Sequence, residues 1–178
     1  MAMASSSSFN GVAMKKYDVF ISFRGDDTRN GFTSHLHAAL CRTYFNTYID
    51  YMIEKGAQVW AELVKAIKDS NLFLVVFSEN YASSTWCLNE LVQIMECSQT
   101  NEEENVYVIP VFYQIDPSHV RKQIGSYGAA LAKHRKRGND DKMMHSWKNA
   151  LSEAANLSGF HSTAYRFLVF AYIHIKFN

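Results

Sequence analysis

The run Leu72-Phe73-Leu74-Val75-Val76-Phe77 (LFLVVF) decides the fold. Six consecutive apolar residues leave no polar face for water. Such a run reads as a strand covered on both sides, the signature of a parallel sheet. Just upstream, Val59, Leu63, Ala66 and Ile67 recur at helical spacing, and that helix stops near Ser70-Asn71. Just downstream, Ser78 to Ser84 is a polar loop, and Leu88, Leu91, Val92 and Met95 mark another helix running to about Ser98.

The same alternation continues outward. Tyr17 to Phe23 (YDVFISF) is a first strand, followed by a polar turn from Arg24 to Asn30 and a helix from about Gly31 to Thr43. Thr47 to Ile49 is a short second strand ending at Asp50, and Val106 to Tyr113 (VYVIPVFY) is a fourth. Pro110 cannot donate to a ladder, so it implies a strand start or a place near the sheet edge. After Asp116-Pro117 a helical region runs to about Arg135, another runs from Asp140 to Asn156, and a short fifth strand lies near 157–160. Gly159 reads as the stop after the last helix. Strands alternating with helices imply right-handed βαβ units, and therefore an α/β, flavodoxin-like open doubly wound parallel sheet. Ligands of such sheets bind beyond the carboxyl ends of the strands. Here those ends are Phe23 to Asp26, Asp50-Tyr51, Ser78 to Tyr81, and Tyr113 to Asp116.

Composition narrows the function classes. The chain has 178 residues, with 18 Lys+Arg against 17 Asp+Glu and a formal charge of +1. That length is one domain, and the balanced charge argues against a dedicated DNA or RNA binder or a polybasic membrane surface. Three cysteines and no CxxC pair fit a reducing, cytoplasmic setting and no structural zinc. Residues 1–14 read as a disordered leader without a secretory core. The apolar tail Phe167 to Ile175 is far shorter than the ~20 residues of a membrane span.

Few familiar site motifs occur. There is no GxxxxGK[ST] loop, no GxGxxG after a strand and no GxSxG elbow. His35 and His37 stand at i, i+2 on a helix, so their rings point apart and no metal site is expected. Lys133 to Arg137 (KHRKR) reads as a solvated helix end, with a weak nuclear-localisation pattern as the other reading. Glu90 lies early in its helix. With Leu88 at zero on the wheel it points to roughly 200°, away from Leu91, Val92 and Met95, and reads as an exposed helical carboxylate. Trp86 is one turn before it, so the two side chains can share a surface.

Four ordered blocks then carry a resemblance: YDVFISFRGDDTRNGFTSHLHAAL (17–40), VVFSENYASSTWCLNELVQIMEC (75–97), VIPVFYQIDPSHVRKQIGSYGAAL (108–131) and WKNALSEAANLSG (147–159). Together they resemble the plant Toll/interleukin-1 receptor (TIR) domain, which implies five strands. The resemblance also changes the reading of Glu90. The Glu of the WCLxEL stretch is the family's catalytic residue in NAD⁺ cleavage. By the same resemblance Trp86 stacks on the substrate, Ser84 is a polar contact, Arg24 and Gly25 approach the phosphates, and Asp50 ends a strand at the same crevice. Ser34 and His35 match the pair through which such domains dock on one another. NAD⁺ or NADP⁺ would be a substrate rather than a cofactor, the partners would be other TIR domains, and a lone domain would be weakly active.

The chain departs from the family pattern in two places. After the second strand it reads DYMIEKGAQVW, with Ala57, Gln58 and Trp60 at unusual positions, and Tyr44 stands where the preceding turn usually has Gly. Residues 162–178 lack the family's acidic amphipathic last helix, so an altered second association surface is expected, and with no nucleotide-binding ATPase domain or leucine-rich repeats in the sequence a TIR-only chain or a truncated product of a longer receptor is expected. Two function classes follow. One is an NAD⁺ nucleosidase in plant innate immune signalling, dependent on self-association. The other is a non-catalytic adaptor or decoy that pairs with TIR-containing receptors. A phospho-acceptor receiver shares the fold class but wants an acidic pocket with a partner Lys that is not apparent.

Overall fold

A computed structural model describes residues 15–50, 57–100 and 106–161. The leader, most of the loop after the second strand, the acidic Glu102-Glu103-Glu104 connection and the tail at 162–178 lie outside the described residues. Five strands form one parallel sheet in the order β2-β1-β3-β4-β5. They are β1 (Tyr17–Phe23), β2 (Thr47–Ile49), β3 (Ser70–Phe77), β4 (Tyr107–Phe112) and β5 (Phe160–His161). β1 pairs with β3 from Tyr17↔Ser70 to Phe23↔Val76, and β3 pairs with β4 from Leu72↔Tyr107 to Phe77↔Phe112.

Both faces of the central strands are buried, which explains their continuous apolar runs. Phe20, Phe73, Val75 and Phe77 face one core. That core is closed by α3 (Ala57–Lys68), α4 (Thr85–Thr100), α6 (Ser126–Lys136) and α7 (Asp141–Asn156). Val19, Ile21, Phe23, Leu72, Leu74 and Val76 face the other, where Phe32, Leu36 and Leu40 supply most of the helical cover. Leu36 and Leu40 belong to α2 (Ser34–Arg42).

Several boundaries differ from the sequence reading, each for a local reason. The stretch after β1 is not a turn. Gly25–Thr28 forms the short helix α1, and Arg29–Thr33 continues as a π-helical turn into α2. The buried hydroxyls of Thr28 and Thr33 bond each other at 2.8 Å and tie these turns together. The helical region after Asp116 is two helices, α5 (Pro117–Lys122) and α6. Gln123 and Gly125 both take positive φ, 47° and 60°, which ends one helix before the next begins. β5 begins at Phe160, later than expected. Gly159 has a stricter reason than a helix stop: a Cβ there would overlap the carbonyl oxygen and ring of Pro110. Pro110 itself faces β3 at Val75, while β4 pairs with β5 only from Val111 onward. Its missing N–H therefore costs no ladder bond to β5, as an edge-like position requires. Tyr44 is 96% exposed at φ 64°, so a non-glycine residue occupies a left-handed turn position there.

Candidate active site

The sheet order reverses at β1, with β2 on one side and β3 on the other. At the carboxyl ends of these strands lies a cleft of about 630 Å³, lined by Phe23–Asp26, Arg29, Asn30, Asp50, Ser83–Cys87 and Arg137. That size falls within the ~300–1,000 Å³ usual for small-molecule sites. Arg24, Gly25, Asp50, Ser84 and Trp86, all picked from the sequence, meet in this one cleft. The loop from Tyr113 to Asp116 does not line it.

Each wall is built from local chemistry. Arg24 leaves the end of β1 and is held at both ends of its guanidinium, by Asp26 at 2.8 Å and Asp27 at 2.5 Å. Asp27 also accepts from the Ser78 hydroxyl at 2.6 Å and the Asn80 N–H at 3.1 Å, joining the loops after β1 and β3. Such charge-assisted bonds are about twice as strong as neutral ones. Gly25 leaves room for Arg29, since a Cβ would stand 2.6 Å from the Arg29 Nη2. Ser84 is the N-cap of α4: its hydroxyl accepts from the Cys87 N–H at 3.3 Å. Trp86, on the first turn, is met edge-on by Trp60 of α3, with ring centroids 5.2 Å apart at 82°.

Glu90 corrects the wheel reading, being only 3% exposed. It lies one turn of α4 below Trp86 and Cys87, beneath the cleft wall rather than on its lining. The neighbouring tyrosines respond to it. Tyr48 is pushed up to about 12, mainly by burial and then by the Asp50 charge, with Glu90 adding to the effect. Buried Tyr81 is held well above the ordinary tyrosine range, by desolvation first, with Cys87 and Glu90 contributing. The Tyr81 hydroxyl bonds the Ser22 hydroxyl at 2.8 Å and donates to the Cys87 carbonyl at 3.1 Å, anchoring α4 to β1.

Ser34 and His35 are not part of this cleft. Both bond the Gly31 carbonyl, from the Ser34 hydroxyl at 3.0 Å and the His35 Nδ1 at 2.6 Å, and His35 stays exposed. Their neighbour His37 makes a separate contact, to Cys41 Sγ at 3.4 Å. The basic run at 133–137 also departs from its reading as a uniformly solvated end. His134 is buried at 1% exposure, its Nε2 donating to the Ala82 carbonyl at 2.9 Å, and Arg137 lines the cleft. Arg29, Asn30 and Arg137 escaped the sequence reading. The i, i+3 step from buried His134 to Arg137 is visible in the sequence only once His134 is known to point inward. No helix among the described residues is long and apolar enough to cross a membrane.

An open parallel α/β sheet with its crevice at the switch point, walled by an arginine–aspartate loop and a helix N-terminus, defines a domain of the flavodoxin-like class. A family model of the TIR domain matches residues 16–167, and the chain belongs to that family. It is 51% identical over 143 residues to the disease resistance protein RUN1 of Vitis rotundifolia, covering 80% of this chain and 11% of that protein. It is 50% identical over 159 residues to the TMV resistance protein N of Nicotiana glutinosa, covering 88% of this chain and 13% of that one. The chain thus matches a small part of each relative's length. Among solved structures, the TIR domains of the activated Roq1 resistosome, which directly recognizes the pathogen effector XopQ, match at 42% identity. Their TM-score is 0.76, over 90% of this chain and 97% of that one.

Proposed function

We propose that this domain is an NAD⁺ or NADP⁺ nucleosidase of plant immune signalling, releasing nicotinamide and an ADP-ribose product. The observation that carries the reading is a buried carboxylate, Glu90, one helical turn below an indole that lines a dinucleotide-sized cleft. A structural helix has no need of a carboxylate there, because burying one costs stability. Buried ionisable groups beside a crevice are functional candidates for that reason.

The chemistry asks little of the protein. In NAD⁺ the nicotinamide is already cationic. When the C1′–N bond breaks, its electron pair returns to the ring nitrogen and neutral nicotinamide leaves without a general acid. Charge then develops at C1′ and the ring oxygen, as in glycoside cleavage. The Glu90 carboxylate stabilises or traps that cation. Water adds at C1′ and releases one proton, giving ADP-ribose. Trp86 offers an aromatic face for a planar ring, and Asp50 and Ser84 supply polar contacts.

At 3% exposure Glu90 cannot reach a ribose without movement of the wall above it. Self-association through the α2 face bearing Ser34 and His35 supplies that rearrangement, so a monomer is weakly active. The test is nicotinamide release at high protein concentration, with and without a crowding agent. Release that rises more steeply than protein concentration and vanishes in Glu90→Ala supports the reading. No release despite demonstrable self-association overturns it in favour of an adaptor.

A further inference from the structure

The cations of the cleft are not equivalent. Arg24 is committed to Asp26 and Asp27. Arg29 and Arg137 also line the cleft, and neither guanidinium has an ion pair or hydrogen bond among the described residues. The Arg29 Nε is moreover buried without an acceptor. A desolvated donor left unmade costs about 1–3 kcal/mol, so an anion arriving there recovers energy that the empty cleft forgoes. Among the described residues that line the cleft, Asp50 is the carboxylate outside the Arg24 pairs.

Arg137 is placed for this by its helix rather than by chance. His134 bonds the Ala82 carbonyl and meets the Trp147 ring at 5.2 Å, which fixes the last turn of α6 against the segment leading to Ser83 and Ser84. Arg137 lies three residues on, at the helix cap, and so reaches the same rim. Its neighbours behave differently: Lys133 and Lys136 are exposed and off the cleft, and Arg135 turns to Asp141 at 3.8 Å.

We propose that Arg137 is a phosphate-binding residue of the cleft, contacting the anionic part of a nucleotide ligand from the cap of α6. The assignment rests on the reading that the cleft takes a dinucleotide, but not on that dinucleotide being cleaved. A guanidinium offers two parallel donors to one phosphate group, which suits this task better than an ammonium. Arg24, by contrast, positions the loop through its aspartates.

The test is calorimetric titration of the full chain with ADP-ribose at two salt concentrations, with thermal melting as a folding control. Arg137→Gln is expected to weaken ADP-ribose binding about tenfold and to flatten its salt dependence, with an unchanged melting temperature. Arg137→Lys should recover part of the affinity, and Lys136→Gln, in the same basic run but off the cleft, should bind as the wild type. ADP-ribose affinity within twofold of wild type in Arg137→Gln, an equal loss in Lys136→Gln, or no binding by the wild type would overturn the proposal. Glu90→Gln separates the two readings. Loss of nicotinamide release with the Arg137 effect intact supports both. A wild type that binds ADP-ribose through Arg137 but releases no nicotinamide keeps Arg137 and removes the nucleosidase.

Discussion

Helices α4 and α7 are each 16 residues long and each carries a tryptophan, but they bury their side chains by different rules. α7 buries Met144, Trp147, Ala150, Leu151, Ala154 and Ala155. At 100° per residue these span an arc of about 140°, one stripe that packs against α4, α5 and β4. α4 buries Cys87, Leu88, Glu90, Leu91, Ile94, Met95 and Cys97, an arc of about 180°. α4 packs against α7 and α3 and lies over β1 and β4, so its cover extends to both flanks. On that wider arc Glu90 falls between Ile94 and Cys97. α7 is also packed between two helices, α4 and α5, but the edges of its arc are Ala150 and Ala155. Near the edge of the α4 arc stands Glu90, so there the cover hides a charge.

Substitutions at Glu90 and Trp147 separate the roles of the two helices most directly. Glu90→Ala should lower nicotinamide release by about 10³-fold, the scale for removing one group that stabilises transition-state charge. Its melting temperature should hold or rise, because a buried carboxylate is removed. Unfolding of this variant would place Glu90 in the structure instead of the chemistry. Trp147→Ala should do the reverse. It empties a buried indole site and strands the Asn89 oxygen that accepts from Trp147 Nε1 at 2.8 Å, costing about 3–5 kcal/mol. Denaturant unfolding measures that cost, and the folded fraction should keep the specific activity of wild type.

The same contrast explains what could be read in the chain. The central strands are legible because two buried faces leave nearly continuous apolar runs such as Leu72–Phe77, whereas the strand order has no such signal and the short β2 and β5 carry no long apolar run. The crevice was legible because strand ends in such a sheet are fixed by topology. Glu90's burial is not legible, because Leu88, Leu91, Val92 and Met95 by themselves put the apolar face on the other side of the helix. Ile94 and Cys97 turn the buried arc toward Glu90, but nothing local says that α3 lies against them. Arg29 was hidden by reading a glycine-bearing polar stretch as a turn, when tertiary cover by Phe32 and the Thr28–Thr33 bond hold it helical. Arg137 was hidden inside a charge run, the commonest solvated pattern.

A smaller effect sharpens the junction of α4 with the sheet. Tyr81→Phe removes the hydroxyl that joins the buried Ser22 hydroxyl to the Cys87 carbonyl, at a cost of about 1–3 kcal/mol at neutral pH. It also changes the alkaline limb. Burial holds Tyr81 and Tyr127 well above the ordinary value of 10.0 in the folded chain. Above pH 10 the unfolded chain loses those protons while the folded chain keeps them. Stability is therefore full below pH 10 and falls as pH rises toward the folded values. Unfolding curves from pH 8 upward should show this decline, and Tyr81→Phe should make it shallower while Tyr127 keeps the remainder. An unchanged slope in that variant would mean that Tyr81 already titrates normally.

The smallest effect concerns the two tryptophans of the helices themselves. Trp147 meets His134 within the core at 62°, and Trp86 meets Trp60 at the cleft at 82°. Both are edge-to-face pairs, worth about 0.5–1.5 kcal/mol beyond the area they bury. Trp147 is fully enclosed, whereas Trp60 and Trp86 are each half-buried, so breaking the latter pair should barely move stability. It should instead free the Trp86 ring, which lines the cleft. Trp60→Ser is therefore expected to raise KM for NAD⁺ a few-fold, roughly the loss of one aromatic pair, with kcat nearly unchanged. Circular dichroism reads the geometry independently of turnover: coupled indoles give a paired far-ultraviolet band that Trp60→Ser and Trp60→Phe should both remove. Trp60→Phe keeps a ring against Trp86 and should restore most of the KM. If Trp60→Phe behaves as poorly as Trp60→Ser, the contact acts through the backbone of α3, and the edge of the ring is not what holds Trp86.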